Sequence, residues 1–157
     1  MLARAYVYLE RPLADVARIL TGPSQAWLAG LDGDSGEDLL ARVGIELRGL
    51  HVYRHVRIST GDASSLSDGG TSIPLAWHPS GGEALLPDLH GTLDVEAVGA
   101  RTQLTLNANY TPPLGFLGSA VNRLMLYRLA DATILDFVQR VANNVERILA
   151  GPPRRDR

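Results

Sequence analysis

The sequence contains no cysteine and no lysine, and each absence excludes a class of chemistry. Without cysteine there is no disulfide, no thiolate nucleophile and no cysteine-ligated zinc. All 15 basic residues are arginine, so Schiff-base catalysis and a P-loop lysine are excluded as well. The formal net charge of −2 argues against a broad basic surface, and we therefore expect no nucleic-acid partner.

Long apolar runs are also missing. No stretch approaches the 18 apolar residues that a membrane-spanning helix needs, and Met1–Arg4 does not open a signal-peptide pattern. We therefore expect a cytoplasmic protein without an integral membrane segment. A chain of 157 residues fits one domain, which we place at residues 1–150. Residues 151–157 are expected to form a flexible tail.

The first third of the chain predicts one strand followed by two short helices. Tyr6, Val7 and Tyr8 favour a strand over residues 3–9. Apolar residues then recur at helical spacing from Pro12 until Gly22-Pro23 ends the helix. A second helix is predicted over residues 25–29, and a loop rich in glycine and acidic residues follows it.

The middle of the chain changes to a period of two. Apolar and polar residues alternate in five runs, which predicts an antiparallel meander with one apolar and one polar face. The runs cover residues 43–47, 52–58, 73–77, 89–96 and 103–110. Between the second and third runs, residues 61–70 are small and polar, and they predict either a lid or a slack hairpin, of which the hairpin is favoured.

The last part predicts one helix over residues 117–149, about 50 Å long at 1.5 Å per residue. Its apolar stripe is predicted to contain Leu117, Val121, Leu124, Leu135, Val138, Ala142, Val145 and Leu149. A sheet with one apolar face must cover that face, and this helix is long enough to do so. Space left between helix and sheet would be a cavity with apolar walls.

Two stretches carry a resemblance to a known family. The run Tyr110-Thr-Pro-Pro-Leu-Gly-Phe-Leu-Gly118, and Arg128-Leu-Ala-Asp-Ala-Thr133 followed by Phe137, together with the order of elements, resemble the START-like superfamily. This group is also described as the polyketide cyclase/dehydrase and lipid-transport family. The resemblance covers essentially the whole chain and implies an α+β helix-grip fold: a curved antiparallel sheet wrapped around a long C-terminal helix, with two short helices after the first strand. It implies an internal pocket but no particular reaction.

Two charged residues fall on predicted apolar faces. Arg54 shares the parity of Val56, and a buried charge is costly unless it is paired. Arg54 therefore reaches water at a strand end, has a partner, or orients a polar group of a ligand. Asp131 falls within the predicted helix stripe near Leu135, with Arg128 at its edge. The charges here form an ion pair, Arg54 with Asp131 or Arg128 with a neighbouring acid, or Asp131 faces the cavity as a hydrogen-bond acceptor or acid/base group.

The predicted cavity lining combines these residues with inward-facing apolar ones: Arg54, Val56, Trp77, Leu93, Leu106, Tyr110, Leu124, Arg128, Asp131 and Leu135. Aromatic side chains at these positions are either core or ligand contacts. His51, His55, His78 and His90 all fall on the polar parity, so we expect solvated side chains. No catalytic residue, metal ligand or cofactor is predicted.

Three functions remain open from the sequence. The first is binding of a small hydrophobic or amphipathic ligand in the cavity between sheet and helix. The second is an enzyme resembling a polyketide cyclase/aromatase or a dehydratase, which requires at least two convergent ionisable groups in that cavity. The third is a protein-interaction module or homodimer that uses the exposed sheet face, where Tyr53 falls on the outward parity.

Overall fold

The computed structural model describes residues 2–29, 39–47, 50–79, 88–111 and 123–151. Within these ranges the side chains of residues 39–47, 50–55, 111, 123–127 and 129 lie outside the description. The elements are β1 (Leu2–Leu9), α1 (Leu13–Leu20), α2 (Ser24–Leu28), β2 (Leu39–Leu47), β3 (Leu50–Thr60), β4 (Ser64–Ser65), β5 (Thr71–Pro79), β6 (Asp88–Val98), β7 (Arg101–Thr111) and α3 (Arg123–Ala150). The predicted order of elements is confirmed.

All of these strands belong to one antiparallel sheet with the order β1-β7-β6-β5-β3-β2, and β4 pairs with β5 alongside it. Chain neighbours pair as hairpins at β2–β3, β5–β6 and β6–β7, so the predicted meander is confirmed. The β6–β7 turn contains Gly99 at φ 62°, in the left-handed region that favours glycine. The segment 61–70 is a hairpin that contains β4, with the Gly70 carbonyl accepting from the Leu66 N–H at 2.8 Å.

Alternation within the strands separates an apolar inner face from a polar outer face. In β7, Leu104, Leu106, Ala108 and Tyr110 are all buried, and they belong to one hydrophobic core with the inner residues of the other strands. The sheet is curved around α3. The apolar face of each strand is therefore the one that the long helix covers.

The outer face is held together by a polar network across three strands. The Asp94 carboxylate accepts from the Ser72 hydroxyl at 2.5 Å and from the Asn107 amide at 2.6 Å. Nearby, a hydrogen bond with Asp68, partial burial and repulsion from Asp68 raise the pKa of Glu96. These carboxylates belong to the outer face and not to the core under the helix.

The C-terminal helix is confirmed from Arg123 onwards, and residues 117–122 of the prediction lie outside the described residues. It ends at Gly151, whose φ of 72° and N–H bond to the Ile148 carbonyl close the last turn. Val138 and Val145 are fully buried as predicted. None of the described helices combines the length and apolar character required to cross a membrane.

One face of α3 lies closest to β1. Ala3 and Ala5 point toward the core at this place and are buried, and such small side chains allow helix and strand to approach each other. An ion pair between Arg11 and Glu146, with 2.8 Å between nitrogen and oxygen, joins the end of this strand to the helix. The helix is thereby fixed along one edge of the sheet.

Candidate ligand-binding site

A row of large side chains crosses the inner face of the sheet. The strand registers place Ile58 opposite Trp77, Trp77 opposite Leu89, and Leu89 opposite Tyr110. Because cross-strand partners project from the same face, these four side chains form one wall, and each is at most 4% exposed. The wall is apolar except for the tyrosine hydroxyl and the indole nitrogen.

The next row along the strands is small at three of its four positions, with Leu75 as the exception. Gly91 lies opposite Leu75 on one side and Ala108 on the other, and Ala108 lies opposite Ala3. A Cβ at Gly91 would be 2.0 Å from the carbonyl oxygen of Asn107. Only glycine fits where the backbones of β6 and β7 approach this closely.

Larger apolar side chains return in the following row. Leu93 lies opposite both Ile73 and Leu106, and Leu106 lies opposite Ala5. Leu93 and Leu106 are fully buried. The inner face therefore consists of two bulky rows separated by a row that is small at Gly91, Ala108 and Ala3.

Helix α3 faces this surface with Ile134, Phe137 and Val141, each at most 1% exposed. The Phe137 ring meets the Trp77 ring edge to face, with 5.4 Å between centroids. Such an aromatic pair favours contact between its two elements by about 1 kcal/mol beyond burial alone. Helix and sheet are in direct contact at this point.

The buried lining of the described part of the chain carries no formal charge. The buried polar residues of the described part are Ser72 and Thr105 on the outer face and Thr102 and Thr133, and no aspartate, glutamate, arginine or histidine is among the buried side chains described. Within the same residues no group of three or more potential metal ligands exists. Hydroxyl and indole groups are the polar chemistry that this interior offers.

Short helix α2 is attached to α3 by one side chain. The Asn144 amide donates to the Trp27 carbonyl at 2.9 Å and to the Ala29 carbonyl at 2.8 Å. The Trp27 side chain is 1% exposed, and its Nε1–H has no hydrogen-bond acceptor among the described residues. Sequence reasoning predicted the short helix but missed this tryptophan, although a large aromatic residue in a five-residue helix signals burial.

Five of the ten predicted lining residues lie in the core: Val56, Trp77, Leu93, Leu106 and Tyr110. Arg54 lies opposite Val43 in the β2–β3 register. The side chains of Arg54 and Leu124 lie outside the described residues, and the predicted ion pair between Arg54 and Asp131 therefore stays a prediction. Whether any of the ten contacts a ligand stays a prediction.

The three remaining candidates require a correction. Arg128 and Asp131 are exposed, and Leu135 is 45% exposed. The prediction that Asp131 and Leu135 lie within a buried stripe is therefore wrong. The buried face of α3 is centred on Ile134 and Val141, and it turns Leu135 toward solvent.

The histidines whose side chains are described lie on the outer face, as predicted. His78 is half-exposed, with its Nδ1 3.1 Å from the Asp88 carboxylate and its ring 5.3 Å from that of His90. His90 also borders an open groove of about 410 Å³ with Pro74 and Ala76. The lining of this groove also includes Leu75 and Gly91 of the inner-face row, while His90, Pro74 and Ala76 lie on the polar side of the sheet.

Known family models and curated proteins give no match to the sequence. Solved structures do match. TTHA0849 from Thermus thermophilus is 14% identical with a TM-score of 0.58, over 97% of this chain and 100% of that one. The ZhuI aromatase/cyclase from Streptomyces sp. R1128 is 15% identical with a TM-score of 0.53, over 96% and 98%. Ara h 8.0201 is 12% identical with a TM-score of 0.50, over 97% and 99%.

These similarities extend over nearly the whole chain, at identities that establish the fold alone. The chain has the α+β helix-grip fold of START-like proteins, as the sequence resemblance implied.

Proposed function

We propose that the chain binds a small hydrophobic or amphipathic ligand between the curved sheet and α3. The observation that carries the proposal is the inner face of the sheet, where bulky apolar rows flank the row of small residues at Gly91 and Ala108. A fold shared with an aromatase/cyclase agrees with a ligand-holding interior, although fold alone assigns no activity.

The uncharged lining restricts the chemistry of the ligand. Burying an unpaired charge costs far more than burying an apolar group, and the described interior holds no charged side chain to pair with it. The part of the ligand that lies against the described lining is therefore uncharged. A charged end, where the ligand has one, would lie near the exposed Arg128 and Asp131.

Apolar contact is sufficient for useful affinity. A ligand that buries about 300 Å² of apolar surface gains about 7 kcal/mol at about 25 cal/mol per Å². The loss of translational and rotational freedom offsets part of this gain. Since about 7 kcal/mol by itself corresponds to about 10 μM, we expect dissociation constants between about 10 μM and 1 mM for a well-fitting ligand.

The enzymatic alternative needs two ionisable groups that converge on the ligand. The described lining contributes no buried carboxylate, imidazole or guanidinium, so binding without catalysis is the better-supported function. The homodimer stays a prediction, and analytical ultracentrifugation measures it directly.

Titration with Nile red, a neutral dye whose fluorescence rises in apolar surroundings, tests the proposal. We expect saturable binding with one dye per chain. Ile134→Phe adds volume to the buried face of α3 and should weaken binding, whereas Gln139→Phe makes a similar addition on the exposed face and should not. Thermal unfolding establishes that both variants fold. Non-saturable dye binding, or equal affinity in the two variants, would contradict the proposal.

A further inference from the structure

The indole N–H of Trp27 is a buried donor without an acceptor among the described residues. The side chain is 1% exposed, and no described oxygen or nitrogen accepts from Nε1. Buried tryptophan N–H groups normally have a partner, because water bonds to the same group in the unfolded chain. This donor therefore identifies a place where an acceptor in addition to the described residues would be stabilising.

The position of Trp27 is fixed by its surroundings. The Asn144 amide holds the carbonyls of Trp27 and Ala29, so the end of α2 cannot move away from α3 without losing two hydrogen bonds. Helix α2 also contacts β2. Trp27 thus lies where α2 meets α3 and β2, and its side chain belongs to the same hydrophobic core as the inner face of the sheet.

We propose that Trp27 Nε1–H donates a hydrogen bond to an uncharged oxygen of the ligand. This inference rests on the proposed function and narrows it: the ligand is a hydrophobic molecule that carries a carbonyl, ester or ether oxygen, which would lie about 3 Å from Nε1 in the complex. A purely hydrocarbon ligand leaves the donor unpaired. A carboxylate would bring a charge for which the described lining has no cation.

Two probes of nearly equal shape separate this hydrogen bond from general apolar binding. 2-Acetylnaphthalene carries a carbonyl oxygen, and 2-isopropenylnaphthalene has a methylene group in its place. The chain contains 2 tryptophans, so a proton–nitrogen correlation spectrum shows two indole signals. The Trp27→Phe and Trp77→Phe variants assign them.

We expect both probes to bind, the ketone about fivefold more tightly, because one hydrogen bond contributes about 1 kcal/mol. The ketone should move the Trp27 indole proton downfield, and the alkene should not. In Trp27→Phe the preference for the ketone should disappear, while Gln139→Phe, on the exposed face of α3, should keep it. The comparison of the two probes on the wild-type chain needs no variant, so it stands even where a substitution weakens the fold.

Equal affinity of the two probes with no selective shift of the Trp27 signal would overturn the inference and leave the proposed function intact. A ketone preference that persists in Trp27→Phe would overturn it as well. Failure of both probes to bind, with Nile red also unbound, would overturn the proposed function and with it the inference.

Discussion

Replacement of Gly91 by alanine tests whether the close approach of β6 and β7 is required for the sheet. The added Cβ would lie 2.0 Å from the Asn107 carbonyl oxygen and 2.8 Å from Ala108 Cα. Both neighbours are backbone atoms, so the strands must separate by about 1 Å to relieve the overlap. We expect a loss of about 4 kcal/mol from overpacking and weakened ladder hydrogen bonds.

Urea unfolding followed by tryptophan fluorescence measures this loss, because both tryptophans are buried. In a chain of this size the loss corresponds to a thermal midpoint lower by about 8–16 °C. Gly99→Ala is the matched control, since nothing lies within 4 Å of its Cβ position and only its φ of 62° opposes alanine. It should cost about 1–2 kcal/mol. A Gly91→Ala variant no less stable than Gly99→Ala would refute the reasoning.

Three further predictions concern α3 and the outer face. Phe137→Ala should lower the free energy of unfolding by about 3–5 kcal/mol, whereas Gln139→Ala on the exposed face should change it by less than about 0.5 kcal/mol; equal losses would contradict the assigned helix face. Asn144→Ala should lower the free energy of unfolding by about 1–2 kcal/mol and speed amide hydrogen exchange in α2. Unchanged exchange would show that the two hydrogen bonds from Asn144 do not hold α2 against α3. A raised folded-state pKa of Glu96 makes stability fall as pH rises through that pKa. Glu96→Gln removes the repulsion between the ionised Glu96 and Asp68, so it should raise the thermal midpoint at pH 7 but not near pH 3. The same difference in midpoint at both pH values would exclude this coupling.

The alternation in the sequence was sufficient to predict the sheet and its inner face. Trp77, Leu93 and Leu106 lie inward because a strand has a strict period of two, and the register follows from burying one face. Helix α3 was predicted as an element, but the phase of its buried face was not. Leu135 fits the spacing of an apolar stripe, yet an exposed leucine costs little and is common on protein surfaces. Because the stripe was drawn through Leu135, Asp131, one turn before it, was wrongly placed on the buried face too.

Contacts between distant parts of the chain could not be predicted. Asn144 reaches the Trp27 carbonyl across 117 positions, and nothing local to either residue signals this bond. The close backbone approach at Gly91 depends likewise on the neighbouring strand. The pattern of apolar residues specifies each strand and helix and the face it buries. Contacts between residues far apart in the sequence arise only when these elements pack together in the fold.

Native mass spectrometry of the chain, isolated without detergent or organic solvent, tests the central claim most directly. If the sheet and α3 hold a hydrophobic ligand, a fraction of the protein should carry a discrete added mass of a few hundred daltons. Organic extraction should remove it, and 2-acetylnaphthalene should replace it at one molecule per chain. A single unliganded mass that stays unchanged when this ketone and Nile red are added in excess would contradict the claim.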